Sequence, residues 1–266
     1  MRLSFPEILS ESFGLFFARL GLFFHLVTIP WILSLLLRIG AAATTEQTLI
    51  AVLMEKAVDV IPTVMFIVAW MRVVLLGPQR VDRLPGLGWS RRETAFLIHL
   101  LKVAGITFVL IVAFALTVGS IDPAALGKTP PDPDLMRREA MAAPLGTGFI
   151  VSALLALRVS FGLAASAVDL PWSPRRSWAY GRGNGWVIIA SLFVILVASA
   201  IATSIAVIVP LSLLRSLGAD SAAAIVTWTI AILVSYGGAA LMATAQAVIF
   251  RRLTGWREGV PLAEPS

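Results

Sequence analysis

Charged side chains that interrupt apolar stretches are the residues of this sequence with the clearest capacity for chemistry. Arg158 stands inside an apolar run, and Arg72 lies near the end of another. An arginine at bilayer depth is costly and normally faces a cavity, a partner or the interior of a helix bundle. Arg158 could therefore contact an anion or a lipid headgroup. Alternatively, both arginines extend to the headgroups along their aliphatic stems or pair within the fold.

An acidic pair, Glu55 and Asp59, is the second candidate for chemistry. The two carboxylates are four residues apart, with Lys56 between them, so they share one face of a helix. Such a pair could carry a cation or a proton, although a charge cluster at the end of a helix is the alternative. The candidate polar site within the membrane therefore consists of Arg158, Arg72 and Asp59.

Motifs for catalysis or metal binding do not accompany these residues. His25 and His99 are the only histidines and there is no cysteine, so a zinc site of the His-Glu-x-x-His type is excluded. The glycine-rich segment 181–185 lacks the preceding strand and the Gly-Lys-Ser/Thr ending of a phosphate-binding loop. No serine lies in a Gly-x-Ser-x-Gly turn. We expect a protein that is not an enzyme and that uses no cofactor or metal.

The amino-acid composition indicates that the chain lies in a membrane. Of the 266 residues, 58% are apolar and only 14% are charged, and the mean hydropathy is +0.90. A soluble chain is about half apolar and about a quarter charged. A chain of this length cannot bury so much apolar surface in a core, so it must contact lipid. This excludes a soluble enzyme, and the absence of cysteine excludes a secreted disulfide scaffold.

Six apolar stretches are long enough to cross a bilayer, at about 20 residues for each span. The predicted spans lie at about residues 20–39, 58–76, 95–118, 145–168, 185–209 and 222–250. Pro30 is expected to kink the first span, and Pro210 to close the fifth. A cleaved signal peptide is the alternative for the first span, but its apolar stretch is too long and acidic residues precede it. The predicted fold is a single all-α integral membrane domain over residues 1–266.

The first residues predict an amphipathic helix over residues 4–19. Ser4 and Glu7 have the spacing of a capping box, and aromatic residues then recur at helical spacing. Such a helix would lie at the headgroups with its aromatic side toward the acyl chains.

The basic residues predict the orientation of the chain. Two sets of loops alternate: one set, with the N-terminal segment, carries twelve arginines, and the other carries six basic residues. Because positively charged loops stay cytoplasmic, both termini are expected inside, with residues 120–144 forming a periplasmic loop. The net charge of +6 is thus an orientation signal and not a mark of nucleic-acid binding. The excess of arginine over lysine indicates a GC-rich bacterial genome, so the predicted location is the bacterial inner membrane. The expected partners are membrane lipids, with other membrane proteins as a further possibility.

Two of the arginine-rich loops resemble one another and predict an internal repeat. After the second span the order is Arg72-Val73, Val81-Asp82, Leu84-Pro85, Trp89-Ser90 and Arg91-Arg92. After the fourth span it is Arg158-Val159, Val168-Asp169, Leu170-Pro171, Trp172-Ser173 and Arg175-Arg176. Shared needs of membrane interfaces are the alternative explanation. We predict a duplicated helix-loop-helix unit, formed by spans two and three and by spans four and five.

Small residues at every fourth position predict where the helices pack. In a membrane, such ridges let helix backbones approach closely. The ridges comprise Ser152, Ala156, Ser160 and Ala164; Ala198, Ala202 and Ala206; and Ser235, Ala239, Ala243 and Ala247. Spans four to six are therefore expected to form the tightest part of the bundle.

One stretch of the chain resembles a known group of proteins. It consists of residues 158–165 (RVSFGLAA), followed by Arg176-Ser177-Trp178 and Gly181-Arg182-Gly183-Asn184. With the six spans and the amphipathic helix, it resembles poorly characterised bacterial inner-membrane proteins, similar to the membrane domain attached to some glycerophosphodiester phosphodiesterases. The resemblance is specific only around residues 158–186. No segment is left for the soluble catalytic barrel of those enzymes, so their activity is not expected here.

Two functions are compatible with these observations. The first is a non-catalytic membrane protein, a scaffold or an accessory to envelope or lipid processes. The second is a transporter or channel component that uses Arg158 and Asp59. A water-filled cavity lined by Arg158 would favour the second.

Overall fold

Nine α-helices and one 3-10 turn form the described part of the chain. The computed structural model describes residues 2–43, 49–80, 89–119, 148–218, 220–260 and 262, and it contains no strand within them. The α-helices are α1 (Phe5–Phe17), α2 (Leu20–Ala43), α3 (Leu49–Leu76), α4 (Arg91–Gly119), α5 (Gly148–Ser160), α6 (Leu163–Ala167), α7 (Pro174–Tyr180), α8 (Gly185–Ser216) and α9 (Asp220–Thr254). The 3-10 turn is Pro78–Arg80. The predicted periplasmic loop, residues 120–144, lies outside the described residues.

Five helices within this part are long and apolar enough to cross a membrane. The qualifying segments are Leu20–Ala43, Leu53–Leu76, Arg91–Ala113, Gly185–Ser216 and Ala222–Thr254. Many of their apolar side chains point outward: Phe108 is 66% exposed and Ile208 is 62% exposed. Water would disfavour such a surface, whereas lipid acyl chains solvate it. The all-helical, membrane-spanning class predicted from the sequence is therefore confirmed.

The predicted fourth span is wrong in its second half. The helix α5 ends at Ser160, a turn follows at Phe161 and Gly162, and the chain resumes as the short helix α6. The apolar run continues through this break, so hydropathy alone gave no sign of it. Gly162 permits the turn to pack tightly, because a Cβ at this position would overlap the side chains of Trp172 and Ser177.

Pro210 does not close the fifth span, as the sequence had suggested. Helix α8 continues through Pro210 to Ser216. Pro30 and Pro62 likewise lie inside α2 and α3. Proline lacks an N–H and loses one helical hydrogen bond, but membrane helices tolerate this loss when the surroundings satisfy the freed carbonyl.

Helix α1 packs against the bundle instead of lying free at its surface. Ile8 and Ser12 are fully buried, and α1 contacts α9 and α8. Ser4 stands at the N-cap, but its side chain makes no capping hydrogen bond. The predicted capping box is therefore wrong, since the Glu7 carboxylate accepts a 2.6 Å hydrogen bond from Arg252 instead. Glu11 also pairs with Arg252, and with Arg251.

An aromatic cluster forms the centre of the core. Trp70 on α3 is fully buried and lies within about 6 Å, between ring centroids, of Phe16 on α1 and Phe23 on α2. The aromatic side of α1 thus faces protein at Phe16, although Phe17 is 59% exposed. The indole N–H of Trp70 donates a 2.8 Å hydrogen bond to Thr244 on α9.

The predicted small-residue ridges are correct in part. Three residues of the first ridge are buried (Ser152, Ser160 and Ala164), and so are Ala206 on α8 and Ala243 and Ala247 on α9. By contrast, Ala198 and Ala202 on α8 and Ser235 on α9 are exposed. Helices α8 and α9 still share the most extensive contact among the described helices. They meet where Gly238 faces Ser199, one position along the helix from the predicted ridge.

We expect Gly238→Ala to destabilise the protein by about 1–3 kcal/mol, the usual cost of overpacking. The added Cβ would lie 2.7 Å from the Cβ of Ser199, so α8 and α9 would have to separate. Its neighbour Gly237 provides a matched control, since a Cβ there meets nothing within 4 Å. Apparent melting temperatures in detergent test this, and equal values for the two variants would contradict the close approach.

Candidate functional site

A polar cavity of about 540 Å³ lies between α2, α3 and α9. Its lining is unusual for apolar helices because it brings together two carboxylates, two cationic groups and several hydroxyls. The polar side chains that line it are those of Ser34, Arg38, Glu55, Lys56, Asp59, Thr63, Trp228, Ser235 and Tyr236.

Helix α3 contributes a polar stripe to this cavity. Glu55, Asp59 and Thr63 follow one another at intervals of four residues and all line it. The prediction that Glu55 and Asp59 share a helix face is therefore confirmed. Helices α2 and α9 complete the lining from the other side, α2 with Ser34 and Arg38 one turn apart.

Asp59 is held by a hydroxyl network. Ser34 Oγ donates a 2.5 Å hydrogen bond to Asp59 Oδ1, and the Tyr236 hydroxyl lies 2.8 Å from the same Oγ. Thr63 Oγ1 lies 3.5 Å from the Tyr236 hydroxyl. Among the described residues, Asp59 has no ion-pair partner within 4 Å. Within that part of the chain, a neutral hydroxyl and not a cation binds the Asp59 side chain.

Glu55 lies one helical turn from Asp59 but, unlike Asp59, is paired with cationic side chains. Arg38 Nη1 lies 3.1 Å from both carboxylate oxygens of Glu55, and Lys56 Nζ lies 3.5 Å from one of them. The guanidinium of Arg38 is also 5.5 Å from the ring centroid of Trp228, which is a cation–π contact. The charge of Glu55 is therefore compensated within the protein, whereas the charge of Asp59 is not.

Arg72 lies outside the cavity and joins two elements. Its Nη1 donates a 2.9 Å hydrogen bond to the carbonyl of Ala167 at the end of α6 and lies 3.9 Å from Asp169. Asp169 also accepts from Arg92 at the start of α4, at 2.7 Å. These contacts link α3, α4 and the chain after α6 at one end of the bundle.

Arg158 also lies outside the cavity. It stands in the last turn of α5, because the helix ends two residues later. Its guanidinium lies 3.6 Å from the ring centroid of Trp178, and a Cβ at Gly185 would come within 2.9 Å of it. Its Nε is buried without a hydrogen-bond partner. The three candidate residues from the sequence are thus not brought together, and only Asp59 lines the cavity.

Four residues of this lining were not predicted as site residues from the sequence: Ser34, Arg38, Trp228 and Tyr236. Tyr236 carried a usable signal, because it is one of only two tyrosines and interrupts an apolar span with a polar group. Ser34 carried no signal, since serines occur throughout the apolar helices of this chain.

The fold and the cavity together define a multi-pass α-helical membrane protein with a polar chamber among its helices. Within the described ranges, no three His, Asp or Glu side chains are grouped so that they could hold a metal ion. Comparison with protein families, curated proteins and solved structures finds no match. The chemistry of the cavity is therefore the basis for assigning a function.

Proposed function

We propose that the protein is a non-catalytic inner-membrane protein whose polar cavity binds a cation or a small cationic solute, as a transporter or channel component does. The observation that carries this proposal is the environment of Asp59. Its carboxylate stands in an apolar helix and faces the cavity, and no cationic side chain of the described residues lies within 4 Å of it. An ionisable residue within a membrane span is a functional candidate by default.

The neighbours of Asp59 support a cationic ligand. Ser34, Thr63 and Tyr236 add hydroxyl oxygens to the carboxylate, and hard cations prefer oxygen ligands. Arg38 and Lys56 both lie against Glu55, which offsets one of their two positive charges. The charges that line the cavity sum to zero, and Asp59 is the carboxylate among them without a cationic partner within 4 Å in the described part of the chain.

The proposed membrane arrangement has six spans with both termini in the cytoplasm. Five long helices and the apolar helix α5 account for the spans. Contacts at one end of the bundle also support it: Arg72 binds near Asp169, Arg252 binds Glu7, and Arg19 donates to the carbonyl of Val73. Arginines from the basic set of loops lie at this end, and the positive-inside rule assigns that set to the cytoplasm. The periplasmic placement of residues 120–144 stays a prediction.

We also propose that spans two and three and spans four and five arose by duplication. Trp89 donates through its indole N–H to Thr94 at 2.7 Å, and Trp172 donates to Ser177 at 2.8 Å. Both acceptors lie five residues after the tryptophan. The serine after each tryptophan also accepts from a backbone N–H of the helix that follows. The same local hydrogen bonds therefore recur in both units.

A scaffold or accessory role in envelope or lipid processes is the second candidate. The contacts of Arg72 and Arg158 favour it, because both arginines bind groups of the protein itself outside the cavity. The resemblance to membrane domains attached to glycerophosphodiester phosphodiesterases is compatible with this role and stays a prediction.

Asp59→Asn is expected to reduce cation-driven charge movement strongly. The protein is reconstituted in liposomes on a solid-supported membrane, and transient currents are recorded after sodium or proton concentration jumps. The amide keeps the size of the side chain and its hydrogen bond to Ser34 but removes the negative charge. We therefore expect a signal from the wild-type protein and a reduction of about tenfold or more in the variant, since charge–charge attraction at low dielectric is strong.

Glu93→Gln provides the matched control for this experiment. Glu93 lies at the start of α4 and accepts a hydrogen bond from the Ser90 backbone, which glutamine can also do. This variant should retain the wild-type current. Currents of equal size in Asp59→Asn and wild type would refute the role of Asp59. No current from the folded wild-type protein would favour the scaffold.

A further inference from the structure

A second cavity, of about 440 Å³, lies at the end of α9, next to the N-terminal segment. Four guanidinium groups line it, those of Arg2, Arg251, Arg252 and Arg257, together with Trp256. None of the described residues that line this cavity is acidic. We call it the arginine cavity.

The four arginines are not equivalent. Arg251 and Arg252 are paired with Glu7 and Glu11 of α1, so these four charges compensate one another. Arg2 and Arg257 are exposed, and the side chain of neither makes an ion pair or a hydrogen bond with another described residue. The arginine cavity therefore has two uncompensated positive charges.

The pKa of Arg19, which lies between α1 and α2, is lowered from the ordinary value of an arginine. Burial lowers this pKa first, and the positive charge of Arg251 lowers it further. Arg19 directs its guanidinium to the carbonyl of Val73 and is not part of the lining.

The backbone on both sides of the arginine cavity is fixed by the fold. The Leu3 N–H donates a 2.8 Å hydrogen bond to Asn184 Oδ1, which holds the segment that carries Arg2. Gly255 adopts a φ of +64°, and the Trp256 N–H then donates to Thr254 Oγ1 at 3.2 Å. Trp256 is buried against Phe250, which holds the segment that carries Arg257. The two uncompensated arginines are thus attached to ordered backbone.

We infer that the arginine cavity binds a phosphate group, from an anionic phospholipid or from a soluble phosphate ester. Guanidinium groups form paired, charge-assisted hydrogen bonds with phosphate oxygens. A phosphate with a charge of about −1 to −2 matches the two uncompensated positive charges. The helix dipole explains why Arg251 and Arg252 end α9, but it does not explain Arg2 and Arg257, which lie outside any helix.

Native mass spectrometry of the delipidated full chain in neutral detergent tests this inference. Four probes are titrated: phosphatidylglycerol, phosphatidylcholine, glycerol phosphate and inorganic phosphate. The variant Arg2→Gln/Arg257→Gln removes the two uncompensated charges and leaves the pairs with α1 intact. We expect it to bind the phosphate-bearing anion about tenfold more weakly than wild type, because charge-assisted hydrogen bonds are lost.

The control is Arg91→Gln/Arg182→Gln, which makes the same change in net charge. Both of its arginines are exposed and lie outside the arginine cavity. Wild-type affinity in this control supports a local site. Tight binding of phosphatidylglycerol alone identifies a lipid site, and equal binding of glycerol phosphate identifies a soluble ester. Equal weakening in both double variants, or equal binding of phosphatidylcholine, would overturn the inference.

Discussion

Gly162→Ala is expected to destabilise the protein by about 3 kcal/mol or more. A Cβ at this position would overlap Ser177 Oγ and Trp172 Nε1, and it would lie 2.6 Å from Trp172 Cδ1. These two side chains share a 2.8 Å hydrogen bond, and Ser177 is fully buried. The methyl group cannot be accommodated by moving the end of a flexible side chain. The turn after α5 must shift, and the buried hydrogen bond is then lost.

Cysteine labelling can localise this effect, because the chain has no cysteine of its own. Ser166→Cys introduces a thiol at a position on α6 that is only 7% exposed. In the Gly162→Ala background this thiol should react with a maleimide several times faster than in the parent. Gly105→Ala on α4 is the control, since a Cβ there meets nothing within 4 Å. Equal labelling rates in both backgrounds would show that the turn tolerates a side chain.

Features that depend on the geometry of a single helix could be predicted from the sequence. The shared face of Glu55 and Asp59 follows from their spacing of four residues, and the structure confirms it. The partners of Asp59 could not be predicted in this way. Ser34 lies 25 residues before Asp59 in the sequence, and Tyr236 lies on the last helix. Their proximity depends on which faces α2, α3 and α9 turn toward one another, and hydropathy does not encode that choice.

The wrong predictions share a physical cause. Hydropathy indicates which residues prefer lipid or the protein core. It does not indicate whether the backbone of an apolar run is one continuous helix. The turn at Phe161 and Gly162 lies inside an apolar run, so one span was predicted where α5 and α6 are separate helices. Pro210 ends the apolar run of the predicted fifth span, but α8 continues past it.

The packing faces could be predicted only where one ridge dominates a helix. On α9, Ala243 and Ala247 are buried as expected. On α8, small residues occur on adjacent faces, so spacing alone cannot select between Ala198 and Ser199. The choice follows from the partner, because Gly238 lacks a Cβ and accepts Ser199.

Trp70→Ala is expected to lower the free energy of unfolding by about 3–5 kcal/mol, the range for removal of a large buried aromatic side chain. Trp70 is fully buried at the point where α1, α2, α3 and α9 meet. Its ring lies 6.0 Å from those of Phe16 and Phe23, between centroids, and it donates to Thr244. The four elements would then surround a cavity too large to close by small adjustments. We expect α1 to detach first, because Phe16 would lose a principal contact within the bundle.

The control for this substitution is Trp186→Ala, since Trp186 is 79% exposed. The apparent melting temperature in detergent should fall strongly in Trp70→Ala and little in the control. Thr244→Val separates the contribution of the hydrogen bond from that of the Trp70 ring. Valine keeps the shape of the threonine side chain but leaves the indole N–H without an acceptor, which should lower the stability of the protein by about 1–3 kcal/mol. If Trp70→Ala were no less stable than Thr244→Val, the ring would contribute only its hydrogen bond, and the aromatic cluster would not be the centre of the core. A larger loss in Trp70→Ala would mean that ring packing at this junction holds α1 and the spans in one bundle.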